Sequence, residues 1–267
     1  MTDILKTPFL EETIESCRYF WEAGWGENHA GNLTYLLSEE EVNKYVKDVE
    51  KAKKGKPVRV AMTFEAEELI GKNFLVTRAG SFFRTIHKHP EKDLGIVKVN
   101  HDSIDIIWGF DNGRMKPTSE FPAHLLCHQA RLKQNPENKL VMHCHPTNVI
   151  AMTFAHEINE EKFTKTMWRL NSECVLVFPE GLGMLPWMVC GEGPIGPDTA
   201  KKMEKYRIVI WPYHGMFASG TSFEDTIGLI ETVEKNAQVY MLNGGEIKAG
   251  LTDEQVRELA QAFDLWD

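Results

Sequence analysis

The stretch Val141-Met142-His143-Cys144-His145, which runs into Pro146-Thr147-Asn148, decides how this chain is organised. Side chains alternate between the two faces of a β-strand, so His143 and His145 are predicted to project together while Cys144 points to the other face. Two adjacent imidazoles are costly in an apolar strand unless they share a task. We therefore favour a divalent metal ion bound by this pair over two hydrogen-bonded core histidines.

The composition is that of an ordinary globular protein. The chain has 267 residues, of which 42% are hydrophobic and 26% are charged, and no clear linker divides it. We expect a single domain over residues 1–267. The formal net charge of −9 argues against nucleic acid or an anionic membrane as a partner, because both are bound by basic stripes.

Two further features concern the compartment. The five cysteines are an odd number scattered among apolar residues, which is typical of reduced thiols. The N-terminus lacks a basic and then apolar signal, and no apolar run approaches ~20 residues. We expect a soluble cytoplasmic protein.

Two loops of small residues lie upstream of the histidine pair. The first, residues 26–32, joins a helix that begins at Pro8 to a predicted strand at 33–37. The second, residues 78–81, follows a predicted strand at 72–77. Small residues expose backbone N–H groups, so each loop is either an anion site or a simple connection.

Other upstream segments supply framework. The charged run at residues 38–56 predicts a helix with a solvated face. Residues 94–99 and 104–109 predict a pair of strands, and the polar turn between them places His101 at the surface.

Glu120 lies just before a predicted helix, one helix upstream of the histidine strand. Pro122 occupies a typical helix start, so Glu120 is expected near the helix N-terminus. The residue either helps to cap that helix or is a carboxylate held rigidly beside the metal. His124 and His128 lie four apart on the same helix, but without an H-E-x-x-H pattern we favour packing or surface roles for both.

Downstream, a predicted strand at residues 207–211 leads to His214, which lies next to a glycine in a constrained turn. Residues 173–178 predict another strand, and Glu173 is its first residue. Residues 185–188 predict an edge strand or an extended loop, because proline is excluded from central strands.

Two helix starts are indicated near the C-terminal end. Thr221 and Glu224 have the spacing of a capping box, and so do Thr252 and Gln255.

The three histidines together predict a tripodal zinc site with open positions, which is typical of catalytic zinc. Such an ion binds a carbonyl or hydroxyl oxygen and stabilises developing negative charge. Glu120 and Glu173 are then candidates for proton transfer, although the default for a glutamate is a surface position. On residue chemistry alone a zinc hydrolase is also open, because tripodal zinc activates water equally well.

These motifs together resemble the class II aldolase/adducin superfamily. The resemblance rests on His143-Cys144-His145, on Pro117-Thr118-Ser119-Glu120 and on Trp211-Pro212-Tyr213-His214-Gly215. It extends over most of the chain, least so at residues 38–60 and the C-terminal tail. Within the superfamily, the chain is most similar to the branch that acts on L-rhamnulose 1-phosphate.

The resemblance implies an α/β fold with a mostly antiparallel central sheet flanked by helices, and a homotetramer with active sites at subunit interfaces. It implies one zinc ion per subunit on His143, His145 and His214. The implied reaction cleaves L-rhamnulose 1-phosphate reversibly to dihydroxyacetone phosphate and L-lactaldehyde, with zinc stabilising the enediolate and Glu120 transferring the proton. Glu173 matches a carboxylate that reaches the aldehyde side from a neighbouring subunit.

The resemblance also implies a phosphate site where backbone and hydroxyl donors converge: His29, Gly31, Asn32, Gly80, Thr118 and Ser119. Two loops depart from the family pattern here. The family usually has Asn-Gly-Gly-Asn where this chain has His29-Ala30-Gly31-Asn32, and Gly-Ser-Gly-Lys where it has Arg78-Ala79-Gly80-Ser81. We expect that His29 can still donate to phosphate and that Arg78 can replace a lost charge.

Two further alternatives remain, one an enzyme with another substrate or outcome and the other a non-catalytic protein. A fuculose phosphate aldolase or a ribulose phosphate 4-epimerase would keep the fold and the metal and change the substrate or the outcome. A non-catalytic, adducin-like interaction module would be expected to lack the metal histidines, and all three are present.

Overall fold

The computed structural model describes residues 3–52, 57–63, 66–191 and 193–266. The strands are β1 (Asn32–Leu36), β2 (Val58–Ala61), β3 (Asn73–Thr77), β4 (Leu94–Val99), β5 (Ser103–Gly109), β6 (Leu140–Cys144), β7 (Gly183–Met184), β8 (Ile208–Trp211) and β9 (Gly215–Gly220). The helices are α1 (Pro8–Glu22), α2 (Glu39–Glu41), α3 (Lys47–Ala52), α4 (Phe83–Ile86), α5 (Pro90–Asp93), α6 (Phe110–Gly113), α7 (Phe121–Gln134), α8 (Thr147–Ala155), α9 (Glu160–Leu170), α10 (Ser172–Val177), α11 (Ile195–Met203), α12 (Phe223–Leu242) and α13 (Asp253–Ala262). Short 3-10 turns occupy Ile4–Lys6 and Glu67–Leu69, and a π-helical turn, Val42–Val46, joins α2 to α3.

The described strands form one sheet in the order β2-β5-β4-β3-β1-β6-β9-β8-β7. Neighbouring strands are antiparallel except for β7 and β8, which pair in parallel. The α/β class with a mostly antiparallel sheet flanked by helices is therefore confirmed. The histidine strand β6 lies inside this sheet, between β1 and β9.

β6 is buried along its whole length because helices cover both of its faces. Met142 and Cys144 belong to the large core that includes residues of α1, α8 and α12, whereas Val141 packs with α7 and α11. His143 has the same parity as Val141, so its side chain projects towards the α7 side. Cys144 accordingly points to the opposite face of the sheet, as the alternation predicts.

Three strands were not indicated by the sequence pattern. β7 is a two-residue edge strand, Gly183–Met184, just before the predicted extended segment at 185–188. β2 is an edge strand whose residues are mostly exposed, so no apolar alternation marks it. β9 is fully buried and rich in small residues, with glycine at both ends, which is a weak signal for a strand. The predicted framework helix at 38–56 is present over Glu39 to Ala52, and residues 53–56 lie outside the described part of the chain.

The predicted strand at residues 173–178 is wrong, because this segment is the helix α10. Asn171 caps it: its side-chain oxygen accepts a hydrogen bond from the backbone N–H of Glu173 at 3.0 Å. Cys174 and Val175 are buried, and α10 packs against α9, α12 and α13. A short apolar run fits a buried helical turn as well as a strand, so only its packing partners decide between the two.

Of the two predicted capping boxes, the one at Thr221 and Glu224 is wrong. α12 begins after Ser222, whose hydroxyl accepts from the backbone N–H of Asp225 at 3.1 Å. Thr221 is not the cap, since its hydroxyl donates to the Asp225 carboxylate. The capping box of Thr252 and Gln255 is present at the start of α13.

No helix among the described residues is long and apolar enough to cross a membrane.

Candidate metal centre and active site

The structure brings the three candidate histidines together at one end of the sheet. His143 lies in β6, His145 directly follows that strand, and His214 lies in the turn between β8 and β9. Their ring nitrogens can all lie within 4.8 Å of one another. The ring centroids of His145 and His214 are 4.7 Å apart, and each lies 5.1 Å from that of His143.

The hydrogen bonds around two of these rings determine which nitrogen is free. The Nδ1 of His143 lies 3.0 Å from the carbonyl oxygen of Met216, which can only accept, so this nitrogen carries the proton. The Nδ1 of His145 lies 2.9 Å from a carboxylate oxygen of Glu27 and is protonated for the same reason. In the neutral rings both Nε2 atoms therefore present lone pairs.

These two Nε2 atoms face each other at 3.3 Å. Two lone pairs at this separation repel unless a cation or a proton lies between them. Imidazole nitrogen is a preferred ligand of zinc, and the second nitrogen of each ring is held by an acceptor, as is usual for metal-bound histidine. The residues present therefore fit a divalent metal ion.

The electrostatic environment keeps the imidazoles in the ligand form. Burial lowers the pKa of His143 well below its ordinary value, and the neighbouring His145 and His214 lower it further. Burial, followed by the charge of His145, lowers the pKa of His214 to about 4. Neutral imidazole at pH 7 is the form that coordinates a metal.

The turn that carries His214 is tightly constrained. Tyr213 has a φ of +63°, which is uncommon for a residue with a side chain. A Cβ atom at Gly215 would lie 2.4 Å from the carbonyl oxygen of Cys144 and 2.8 Å from the His145 ring, so only glycine fits there. The close approach places His214 against the end of β6.

Glu120 directly precedes α7 without capping it, and the charge of His145 influences the pKa of its carboxyl. Its side chain makes no capping bond to α7. The side-chain amide of Asn32 donates to Oε2 of Glu120 at 2.7 Å. Burial raises the pKa of Glu120, while the Asn32 hydrogen bond and the charge of His145 act in the opposite direction. A buried carboxyl with a raised pKa is suited to proton transfer.

Asn32 connects Glu120 to a buried polar chain that the sequence pattern did not reveal. Its side-chain oxygen bonds Nε2 of His124, and the Thr34 hydroxyl bonds both Nδ1 of His124, at 2.8 Å, and Nε2 of His128, at 2.9 Å. Both histidines are fully buried. They are packed structural residues, in agreement with the missing H-E-x-x-H pattern.

The two small-residue loops lie side by side. The His29 ring packs at a tilt against Phe82 with centroids 4.1 Å apart, and its Nδ1 lies beside the backbone of Gly80. Gly31 lies against the ring of Phe83, on the helix that follows the second loop. Backbone groups of both loops are thereby brought to one place.

The segment around Thr118 joins the second loop to Glu120. The backbone N–H of Thr118 donates to the carbonyl of Thr77 at 2.9 Å, which anchors the segment to the end of β3. The Thr118 hydroxyl accepts from the backbone N–H of Glu120 at 3.4 Å. Ser119 is exposed between them.

Arg78 does not offer a free charge, contrary to the expectation that it replaces a lost lysine. Its Nε donates to Asp93 at 2.8 Å. Its Nη1 and Nη2 atoms donate to the carbonyls of Ala79 and Gly80 at 2.7 and 3.2 Å. The guanidinium therefore braces the second loop.

Glu173 is exposed in the first turn of α10. α10 packs against α9, α12 and α13, whereas the histidines lie on β6 and on the β8–β9 turn. Sequence reasoning missed a different carboxylate, Glu27, as the partner of His145. Their hydrogen bond joins residues 118 positions apart, so no local pattern could indicate it.

A cavity of about 330 Å³ opens beside Glu120. Its lining is largely apolar and includes Pro122, Leu126, Ile195 and Trp211. The Trp211 ring also lies 5.1 Å from that of His143, so the cavity adjoins the metal centre. A small ligand with an apolar end fits this space.

Comparison with known proteins identifies relatives of the whole chain. A rhamnulose-1-phosphate aldolase of Listeria monocytogenes serotype 4a is 43% identical over 267 residues, covering 98% of this chain and 96% of that protein. A protein with the same name from Klebsiella pneumoniae is 38% identical over 270 residues, covering 99% and 96%. The crystal structure of a sugar-phosphate aldolase from Thermotoga maritima superposes with a TM-score of 0.73 at 26% identity, covering 90% of this chain and 98% of that one.

The family model for the class II aldolase and adducin N-terminal domain matches residues 11–241. This range contains the histidine cluster, Glu120 and every strand of the sheet. The chain belongs to the class II aldolase and adducin family.

Proposed function

We propose that this chain is a zinc-dependent aldolase that reversibly cleaves L-rhamnulose 1-phosphate to dihydroxyacetone phosphate and L-lactaldehyde. Family membership and the named relatives support an aldehyde-lyase of class II. The observation that carries the proposal is the pair of facing Nε2 atoms on His143 and His145. The Glu120 carboxyl is held by Asn32, and its pKa, which burial raises, is lowered in part by the charge of His145.

The histidines and Glu120 divide the work. His143, His145 and His214 would hold the zinc ion, which would supply a Lewis acid for the negative charge that develops on the substrate oxygens. As the C3–C4 bond breaks, the C4 hydroxyl loses its proton and becomes the aldehyde, and the bonding electrons remain on carbon 3. Glu120 then delivers a proton to carbon 3 of the dihydroxyacetone phosphate portion, so the reaction neither gains nor loses a proton overall. In the synthetic direction the same carboxylate removes that proton, so no Schiff-base lysine is required.

The hydrogen bonding of Glu120 suits this role. Asn32 holds Oε2, and among the described residues Oε1 has no hydrogen-bond partner. One oxygen is thus fixed and the other is left to exchange a proton with substrate. Burial raises the pKa of Glu120, which brings its proton affinity closer to that needed near neutral pH.

For the phosphate, we assign His29, Gly31, Gly80, Thr118 and Ser119 as the surrounding groups. The contact between the two loops and the anchoring of Thr118 to β3 support this assignment. The side chain of Asn32, the sixth predicted residue, is committed to Glu120 and His124, so its contribution is to orient the carboxyl.

The direct test measures dihydroxyacetone phosphate released from L-rhamnulose 1-phosphate by the zinc-loaded protein. We expect release that His143→Ala abolishes and that chelation of the metal stops. Full activity in a chelated, metal-free sample would contradict the proposal. L-fuculose 1-phosphate and L-ribulose 5-phosphate in parallel assays test the substrate, and ester and peptide substrates test for hydrolysis.

We further infer a cytoplasmic homotetramer in which Glu173 serves the site of a neighbouring subunit. The exposure of Glu173 supports this, and so does an exposed aromatic pair beside His214: the tilted rings of Phe154 and Tyr213 have centroids 4.7 Å apart. All five cysteines are free thiols, which supports a reducing compartment.

Mixed assembly tests the role of Glu173. Subunits carrying Glu173→Ala and subunits carrying Glu120→Ala are each expected to be inactive, and co-expression is expected to restore part of the activity. Restoration requires that an intact Glu120 meets an intact Glu173 from its neighbour. Mixed tetramers without restored activity would place Glu173 outside the neighbouring site.

A further inference from the structure

α8 (Thr147–Ala155) begins two residues after His145 and also contacts the turn that carries His214. The chemistry proposed above uses no residue of this helix. Both of its ends are nevertheless hydrogen-bonded to other parts of the chain. The buried carboxylate of Glu234 bonds one end, and the buried hydroxyl of Thr153 links the other end to Tyr213.

The N-terminus of α8 is capped from a distant helix. Its own N-cap residue, Pro146, makes no side-chain capping bond. The buried carboxylate of Glu234, on α12, instead accepts from the backbone N–H groups of Asn148, at 3.0 and 3.1 Å, and Val149, at 2.9 Å. The Asn148 side-chain amide adds a bond of 2.8 Å. A carboxylate here also complements the helix dipole, so α8 is held firmly three residues after His145.

The other end of α8 holds the turn before His214. The Thr153 hydroxyl, on a residue that is 2% exposed, accepts from the backbone N–H of Tyr213 at 3.1 Å and donates to the carbonyl of Ile150 at 2.7 Å. The Phe154 ring lies against the Tyr213 ring. A left-handed backbone such as that of Tyr213 is strained and persists only where its surroundings hold it.

We propose that α8 is a brace that sets the spacing of His145 and His214, with Glu234 and Thr153 as positioning residues at its two ends. The inference rests on the metal site of the proposed function and does not depend on the substrate. Groups that orient metal ligands typically contribute about 10–100-fold to metal affinity. The brace is therefore expected to raise the affinity for the metal and to fix the arrangement of the histidine ligands around it.

Thr153→Val and Thr153→Ser form the decisive pair. Valine keeps the shape of the side chain and removes the oxygen that holds Tyr213, whereas serine keeps it. Zinc affinity is measured by competition with a chromogenic chelator, and the visible absorption of the cobalt-loaded protein reports ligand geometry. We expect Thr153→Val to bind zinc about 10-fold more weakly, with an altered cobalt spectrum, and Thr153→Ser to remain close to the unmodified protein.

Two variants serve as controls for general loss of stability. Thr232→Val removes a hydroxyl that bonds only within α12, to Gly228 at 2.8 Å, and Asp105→Asn removes a carboxylate paired with Arg59 at the other end of the sheet order. Neither is expected to change zinc affinity. Glu234→Gln tests the other end of the brace. Because this substitution removes the negative charge that caps α8, it is expected to weaken zinc binding.

The possible results distinguish a failure of the brace proposal from a failure of the proposed function. Zinc affinity and cobalt spectrum equal to the control variants, in both Thr153→Val and Glu234→Gln, would overturn the brace and leave the metal site standing. If Thr153→Val does not fold, Glu234→Gln carries the same expectation alone. An unmodified protein that binds no zinc would overturn the proposed function and the brace together.

Discussion

At the scale of single residues, the proton positions on the histidines decide what the cluster can bind. Glu27 and the Met216 carbonyl each hold one Nδ1–H, and both acceptors lie on the far side of the ring from the shared space. The tautomers are thus selected before any metal arrives. This lowers the cost of assembling the ligand set, because the rings need neither rotate nor exchange a proton.

Loss of the Glu27 carboxylate tests this selection. Glu27→Ala is expected to weaken zinc binding by about 10–100-fold, because the His145 ring loses the partner that orients it. Chelator competition measures the affinity, and Glu15→Ala, at another exposed glutamate, is the control. Equal affinities for the two variants would show that the ring is held by other contacts.

Glu120→Gln keeps the size of the side chain and removes the group that exchanges a proton. The turnover number is expected to fall by about 10²–10⁴-fold, the usual contribution of a positioned acid or base. Zinc content should be unchanged, since Glu120 is not in the ligand set. A turnover number within a few-fold of the unmodified protein would assign proton transfer to another group.

His128 makes stability depend on pH. Burial lowers its pKa to about 3, from an ordinary value near 6.5, so folding requires the neutral ring. The contribution of the neutral His128 ring to the free energy of unfolding is complete above pH 6.5. It is lost as the pH falls, because the unfolded chain takes up the proton first.

Between pH 6.5 and 4.5 the free energy of unfolding is therefore expected to fall less steeply with pH in His128→Gln, with a slope smaller by about 1.4 kcal/mol per pH unit. Urea unfolding at several pH values measures the slope, and His101→Gln, at an exposed turn, is the control. Equal slopes in both variants would place the acid sensitivity elsewhere.

At the scale of elements, several segments owe their conformation to neighbours rather than to their own residues. α10 is a helix because its apolar side chains meet α9, α12 and α13. The segment from Gly109 to Gly113 has positive φ at all five residues, and Phe110 anchors it by packing its ring on Gly95. Such a run is rare because a left-handed backbone is strained for side-chain-bearing residues.

Gly109→Ala is expected to be strongly destabilising. Gly109 has φ +78° and ψ −156°, a region that is essentially restricted to glycine, and a Cβ there would lie 2.1 Å from the carbonyl oxygen of Leu94. We expect the free energy of unfolding to fall by about 3 kcal/mol or more. Gly228→Ala, in α12 with open space around it, is the matched control and should be neutral or slightly stabilising. Similar urea midpoints for the two variants would contradict this account.

At the scale of the whole molecule, the histidine cluster joins distant parts of the chain. The end of β6 and the β8–β9 turn contribute the three histidines, the loop before β1 contributes Glu27, and α7 is preceded by Glu120. A bound ion is therefore expected to stabilise the folded state as a whole.

Chelation of the metal is expected to lower the thermal unfolding midpoint, and added zinc to restore it. At a free zinc concentration 100 times the dissociation constant, binding contributes about 2.7 kcal/mol. Scanning calorimetry measures the shift, which should be absent in His143→Ala. An identical midpoint with and without zinc in the unmodified protein would contradict metal binding to the folded state.

By itself, the sequence determined those features that local pattern controls. Alternation in a strand placed His143 and His145 on one face and Cys144 on the other, and Pro122 located the start of α7 beside Glu120. These features need only the geometry of a few consecutive residues.

The tertiary structure alone decided which polar groups meet. It turned Asn32 towards Glu120 and His124, committed Arg78 to Asp93, and gave His145 its partner in Glu27. These hydrogen bonds join residues that are 15 to 118 positions apart, so they depend on how strands and helices are brought together, and no short-range periodicity encodes that approach. The proposed metal ligands were therefore visible in the chain, whereas the groups that orient them were not.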